Sequence, residues 1–145
     1  MKPFVSIIVV CYNMKRELPR TLFSMSPEFQ IGVSKDDYEV ILVDNGSKEP
    51  PTAEDFAYLN INLSVYSMKN PTHSPVRAIN FGINQSIGQF VGVCIDGARL
   101  VSPGLIAQAR DALTLYPRGV VAARGRYLGV KFQRDAMNEG YDAQQ

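Results

Sequence analysis

The chain has 145 residues, 46% of them hydrophobic, with 15 basic and 14 acidic side chains giving a net charge of +1. That size suits a single globular domain over residues 1–145, large enough to bury roughly two-thirds of its unfolded surface. The near-neutral balance and the lack of a dense Lys/Arg run exclude the electrostatic footprint of a nucleic-acid binder, and no apolar run approaches the roughly 20 residues of a transmembrane helix.

The N-terminus, MKPFVSIIVVC, has the lysine and apolar run of a signal peptide. YNMKR follows where a small-residue cleavage site would stand, so the stretch reads as a first strand over 4–10. Its β-branched residues do not alternate with polar ones, as expected of a strand buried on both faces. Leu18, Leu22 and Met25 at helical spacing predict a helix over 16–25, with Pro19 tolerated in the first turn. YEVILV (38–43) is a second strand, ending in Asp44 and the polar turn Asn45-Gly46-Ser47. A loop with Pro50 and Pro51, a short helix near 53–58 and the strand INLSVYS (61–67) follow. Ser74-Pro75 is a helix start signal. Val76, Ile79, Ile83 and Ile87 then predict the stripe that this helix buries on the sheet, and Gly82 within it predicts close backbone packing. QFVGVCI (89–95) is a further strand, running into Asp96-Gly97-Ala98-Arg99. Ser102-Pro103 opens a helix over 103–116, GVVAARG (119–125) reads as another strand, and the tail from Lys131 reads as a polar helix. Strands alternating with helices predict an α/β fold with a mostly parallel sheet covered on both faces.

Three segments in this order, VSIIVVCYN, YEVILVDNGS and AINFGINQSIGQFVGVCIDG, resemble the nucleotide-sugar-binding part of an inverting family 2 glycosyltransferase with the Rossmann-like GT-A fold. The resemblance covers residues 4 to about 106. It implies transfer of a sugar from a nucleoside diphosphate sugar, such as a UDP-sugar, to an acceptor hydroxyl. It also implies that Tyr12 and Asn13 pack beside the base, that Asp44 hydrogen-bonds the base, and that Asp96 holds ribose and a divalent metal, Mg²⁺ or Mn²⁺. The catalytic base and the acceptor half have no counterpart here. The C-terminal part of the usual domain is therefore expected to be missing, the fragment alone inactive, and its uncovered apolar surface prone to homo-oligomerise.

The residue chemistry is compatible with these roles and with plainer ones. An ionised Asp44 is acceptor-only and suits the N–H donor of uracil or guanine, the reading its place at a strand's carboxyl end favours over a plain cap for the turn 45–47. Tyr12 is a stacking ring or an ordinary half-buried aromatic, and Asn13 a ligand contact or a turn residue. Asp96 accepts from ribose hydroxyls or simply ends a strand. Ala98 replaces the second acid of the family's Asp-x-Asp motif and offers a hard cation no side-chain oxygen, which puts metal binding in question. Arg99, next to it, is a candidate for neutralising the diphosphate, or a solvated loop residue. Arg77 stands near the start of a helix, where backbone N–H groups suit an anion, although its register differs from the family's arginine. His73, the sole histidine, reads as a surface residue of the NPTHSP loop. Cys11 and Cys94 read as buried, reduced thiols of a cytoplasmic protein. A non-catalytic nucleotide-sugar-binding or interaction module is the competing reading. A dinucleotide oxidoreductase is disfavoured because CYNMKR, not G-x-G-x-x-G, follows the first strand.

Overall fold

The computed structural model describes residues 2–95, 97–125 and 135. The elements run β1 (Val5–Cys11), α1 (Leu18–Ser24), β2 (Tyr38–Asp44), a 3₁₀ turn (Glu54–Phe56), β3 (Leu63–Ser67), α2 (Val76–Gln85), β4 (Phe90–Cys94) and α3 (Leu105–Leu115). The four strands pair in parallel in the order β3-β2-β1-β4. The chain steps outward from β1 to β2 and β3, then returns to set β4 on the other side of β1. The topological switch point therefore lies between β1 and β4, the place where open α/β sheets bind ligands.

Both faces of the two central strands are apolar, which explains their unbroken hydrophobic runs. On one face Val9, Cys11, Val40 and Leu42 pack with Leu18, Leu22 and Met25 of the α1 segment and Ile106 of α3. On the other, Ile8, Val10, Ile41 and Val43 pack with Ala78, Ile79 and Phe81 of α2. The α1 stripe is the one its spacing predicts. The α2 stripe is not, since Val76, Ile83 and Ile87 are exposed and the helix is buried through Ala78 and Gly82. A Cβ on Gly82 would stand 2.6 Å from Ile8 Cγ2, so the helix lies too close to the sheet for larger side chains and turns its small residues under. The close packing predicted at Gly82 is thus present.

Three other boundaries depart from expectation. Ser74-Pro75 starts α2, but with only a long contact, 3.4 Å, from the Val76 N–H to Ser74 Oγ. The helix α3 begins two residues beyond Pro103, behind Gly104 in the left-handed region (φ 82°) that favours glycine. Residues 119–125 form no strand, and Val120 is 94% exposed. Strand propensity is a fit to a half-buried pleated surface, and this run pairs with no strand of the sheet. The helix expected from Lys131 lies, except for Asp135, outside the described residues. Among the described residues no helix is long and apolar enough to cross a membrane.

Two polar networks fix the sheet's surroundings. At the amino end of the sheet, the buried Glu39 carboxylate accepts from Ser6 Oγ and, at 3.0 Å, from the Ile87 N–H, while Ser6 Oγ accepts from the Gly88 N–H at 2.8 Å. Beside α1, Thr21 Oγ1 donates to Gly97 O (2.7 Å) and the Val101 N–H to Ser24 Oγ (2.9 Å). The buried Gln30 donates to Ser24 O and Ser102 O and accepts from the Ile106 N–H. These bonds lay the segment after β4 along α1 and bring Gly97 beside the end of β1.

Candidate functional site

At the carboxyl edge of the sheet an open cleft of about 370 Å³ is lined by four segments of the chain. The exit of β1 contributes Cys11, Tyr12 and Met14; the turn after β2 contributes Asn45 and Gly46; the loop before α2 contributes Pro71, Thr72, His73 and Pro75. Ile95, just after β4, completes it, so the cleft sits at the switch point.

Asp44 ends β2 with its side chain only 1% exposed. Its carboxylate accepts from the Gly46 N–H (3.1 Å), the Ser47 N–H (3.0 Å) and Ser47 Oγ, and lies 3.7 Å from Cys11 Sγ. It is therefore the cap of the 45–47 turn. Gly46 adopts φ 95°, and a Cβ there would come within 2.6 Å of Pro71, so only glycine lets the turn and the 70–75 loop meet. Asn13, also left-handed (φ 53°), clasps the turn from the other side: its N–H donates to Ser47 Oγ at 2.7 Å, and its Oδ1 accepts from the Lys48 N–H at 3.0 Å. Asn and Asp are the non-glycine residues that tolerate this conformation.

Tyr12 projects from this clasp, 58% exposed, as one wall of the cleft. Asn45 was not anticipated as a site residue. Its Nδ2 donates to Thr72 O at 2.7 Å, while its Oδ1 is buried and has no hydrogen-bond partner, although the residue lines the cleft and is only 8% exposed. The one available signal in the sequence was its place next to Asp44 at a strand end. His73, read as a surface loop residue, is exposed and also lines the cleft.

Tyr12, Asn13 and Asp44 thus come together at adjoining strand ends. Arg77 is exposed in the first turn of α2 and does not line the cleft. Gly97 packs against Cys11, Leu18 and Met14, so the exposed Ala98 and Arg99 follow directly from the β1 end of the site. Asp96 lies outside the described residues. The described part of this turn offers a cation the methyl group of Ala98 and the guanidinium of Arg99, and no group of three His, Cys, Asp or Glu side chains able to hold a metal occurs among the described residues. These residues do not make a cation cage.

Cys11 and Cys94 form no disulfide; Cys11 is buried and Cys94 half-buried. Burial, reinforced by the charge and hydrogen bond of Asp44, pushes the Cys11 thiol up from 9.0 to about 12. Burial, with Asp37 nearby, likewise pushes the Tyr38 phenol up from 10.0 to about 12. Above pH 9 the folded chain therefore holds protons that the unfolded chain has lost, and stability falls as pH rises. The expected decline is roughly 1.4 kcal/mol per pH unit from about pH 9, and about twice that from pH 10 to 12. Urea unfolding at pH 8, 9.5 and 10.5 measures it, and an unchanged midpoint across the three would contradict both shifts.

The parallel sheet, its two helical layers and a cleft at the β1/β4 switch point define a GT-A, Rossmann-like architecture. Solved structures of similar fold include S. aureus TarS (24% identity, TM-score 0.68, covering 81% of this chain and 20% of that one). They also include S. aureus TarS 1-349 in complex with UDP-GlcNAc (23%, 0.69, 88% and 37%). A third is the mannosyltransferase PcManGT from Pyrobaculum calidifontis in complex with GDP-Man and Mn²⁺ (23%, 0.53, 78% and 31%). The chain belongs to glycosyl transferase family 2, whose family model matches residues 6–141. It spans between 20% and 37% of the length of these three structures. No curated protein sequence matches it.

Proposed function

We propose that this chain is the donor-binding part of a glycosyltransferase that passes a sugar from a nucleoside diphosphate sugar to an acceptor hydroxyl with inversion. The observation that carries the reading is Asn45, a buried amide in the switch-point cleft whose Nδ2 is committed to Thr72 O and whose Oδ1 has no partner. An acceptor left unpaired in this way costs about 1–3 kcal/mol, which a ligand N–H recovers once binding opens the Asn45 side chain to the cleft. Uracil, thymine and guanine present such an N–H on their pairing edge, whereas cytosine presents an acceptor at the corresponding ring nitrogen. In this reading the contact first expected of Asp44 passes to its neighbour, and Asp44 acts by holding the turn. Tyr12 supplies a face for the base, and Asn13 fixes the backbone from which Tyr12 projects.

In the whole enzyme the acceptor oxygen bonds to the anomeric carbon as the bond to the diphosphate oxygen breaks, and a carboxylate takes the hydroxyl proton. No described residue lining the cleft is a carboxylate. Arg99, following the β4 turn, supports the departing diphosphate, and Arg77 stands further off, in the first turn of α2. Titrating Mn²⁺ alongside the nucleotide tests whether Asp96, expected from the family resemblance to meet a cation, suffices for one.

Calorimetry with millimolar UDP, GDP, dTDP and CDP tests the reading. Binding of at least one imide-bearing nucleotide with CDP weakest is expected, and Tyr12→Ala is expected to weaken it about tenfold, from a stacking contribution of roughly 1–3 kcal/mol per base. Silence toward all four nucleotides rejects the proposal. Binding without sugar transfer in a protein extended at its C-terminus favours the non-catalytic module, which the methyl group of Ala98 already favours.

A further inference from the structure

We infer that His73 meets the donor's diphosphate as the cleft's own cation, an inference that rests on the nucleotide-sugar reading above. None of the described residues lining the cleft is Lys, Arg, Asp or Glu, so His73 is the one side chain among them that can carry a positive charge. A diphosphate diester carries a negative charge on each phosphate throughout that range. Lodging it beside Val10 and Ile95, which also line the cleft, is costly without a compensating charge.

The neighbours of His73 are held on both sides. Thr72 O is bonded to Asn45 Nδ2 at 2.7 Å, and Pro71 sits on Gly46 at a distance that admits no Cβ. Thr72 Oγ1 donates to Ser74 O at 2.8 Å, and Pro75 leads into α2, whose first-turn N–H groups add the favourable end of the helix dipole. The partnerless Oδ1 of Asn45 independently marks this cleft as one whose polar bonds a ligand completes. Among the described residues, none that lines the cleft with His73 is itself a cation. From β1 come the Tyr12 phenol and the Cys11 thiol, which burial keeps protonated. From β2 come Asn45 and Gly46, with Asp44 turned into its own cap. The exit of β4 presents Ile95, and the two cations of the loop's own segment, Lys69 and Arg77, are exposed and do not line the cleft.

An imidazole that gains an anionic partner is more basic in the complex, so affinity falls as pH rises. Calorimetry with UDP-GlcNAc, a diphosphate diester whose charge is constant, and with uridine, which has no phosphate, reads this at pH 5.5 and 8.0, in EDTA and again in Mg²⁺. UDP-GlcNAc is expected to bind about tenfold more weakly at pH 8.0, roughly 1.4 kcal/mol, with uridine unchanged. His73→Gln is expected to bind UDP-GlcNAc at pH 5.5 as weakly as the native chain does at pH 8.0, and His73→Lys to bind it tightly at both. A flat UDP-GlcNAc affinity in the native chain, or a slope preserved in His73→Gln, overturns the role of His73 while nucleotide binding itself stands. Silence toward both ligands at both pH values instead removes the nucleotide reading on which the inference rests.

Discussion

Replacing Asp44 with alanine is expected to destabilise the chain by about 3 kcal/mol and to abolish nucleotide binding, although Asp44 itself does not face the cleft. The carboxylate accepts from the Gly46 N–H, the Ser47 N–H and Ser47 Oγ while almost fully buried. Hydrogen bonds to a charged group contribute roughly 1.5–3 kcal/mol each, and donors left buried and unpaired add their own cost. Binding is lost because the turn carries Asn45, which holds the 70–75 loop through Thr72 O, and Gly46, on which Pro71 rests. Asp44→Asn is expected to rescue little, since its amide turns a donor toward groups that are themselves donors. Tyr12→Ala is the control: Tyr12 is mostly exposed, so that variant is expected to lose affinity at unchanged stability. Urea unfolding and UDP calorimetry on the three variants distinguish a turn cap from a direct base contact. Native stability in Asp44→Ala with binding lost would mean that the carboxylate touches the ligand instead.

The second large effect is expected at Gly88→Ala, far from the cleft. A Cβ there would stand 2.6 Å from Ser6 N, 2.7 Å from Ser6 Oγ and 2.8 Å from the Val5 carbonyl carbon, and two of these three are backbone atoms of a central strand. A flexible side chain could swing away; β1 cannot move without disturbing its pairing with both β2 and β4. The added methyl must therefore push Gly88 outward, breaking its bond to Ser6 Oγ and loosening the Glu39 carboxylate that Ser6 and Ile87 satisfy. Overpacking costs about 1–3 kcal/mol and a buried polar group stripped of its partner a similar amount, so a loss of about 3 kcal/mol is expected. Gly125→Ala, with nothing within 4 Å of the new Cβ, is expected to change stability by less than about 0.5 kcal/mol. Equal urea midpoints for the two variants would refute the backbone collision.

Residue order alone determined the parallel α/β architecture. VSIIVVC and YEVILV are apolar at both parities because each is covered on two faces, and Leu18, Leu22 and Met25 recur at the spacing of a single buried helical stripe. The same order placed Tyr12, Asn13 and Asp44 at strand exits, since strand ends are local features marked by a polar turn after an apolar run. Which side chain of such a turn is spent on the turn itself is not local. Asp44 and Asn45 are adjacent acceptors in sequence; the β2 ladder turns the first toward its own cap, and the 70–75 loop leaves the second with an unpartnered oxygen. The α2 stripe likewise depended on how near the helix could come to Ile8, a distance set by Gly82 and not by hydrophobic periodicity. Residues 119–125 have the composition of a strand, but a strand exists only where a neighbour offers its edge. His73 became a cleft residue for the same reason: contacts between segments distant in sequence, Gly46 with Pro71 and Asn45 with Thr72, bring its loop over the sheet's carboxyl edge, and only the tertiary structure decides which distant segments meet.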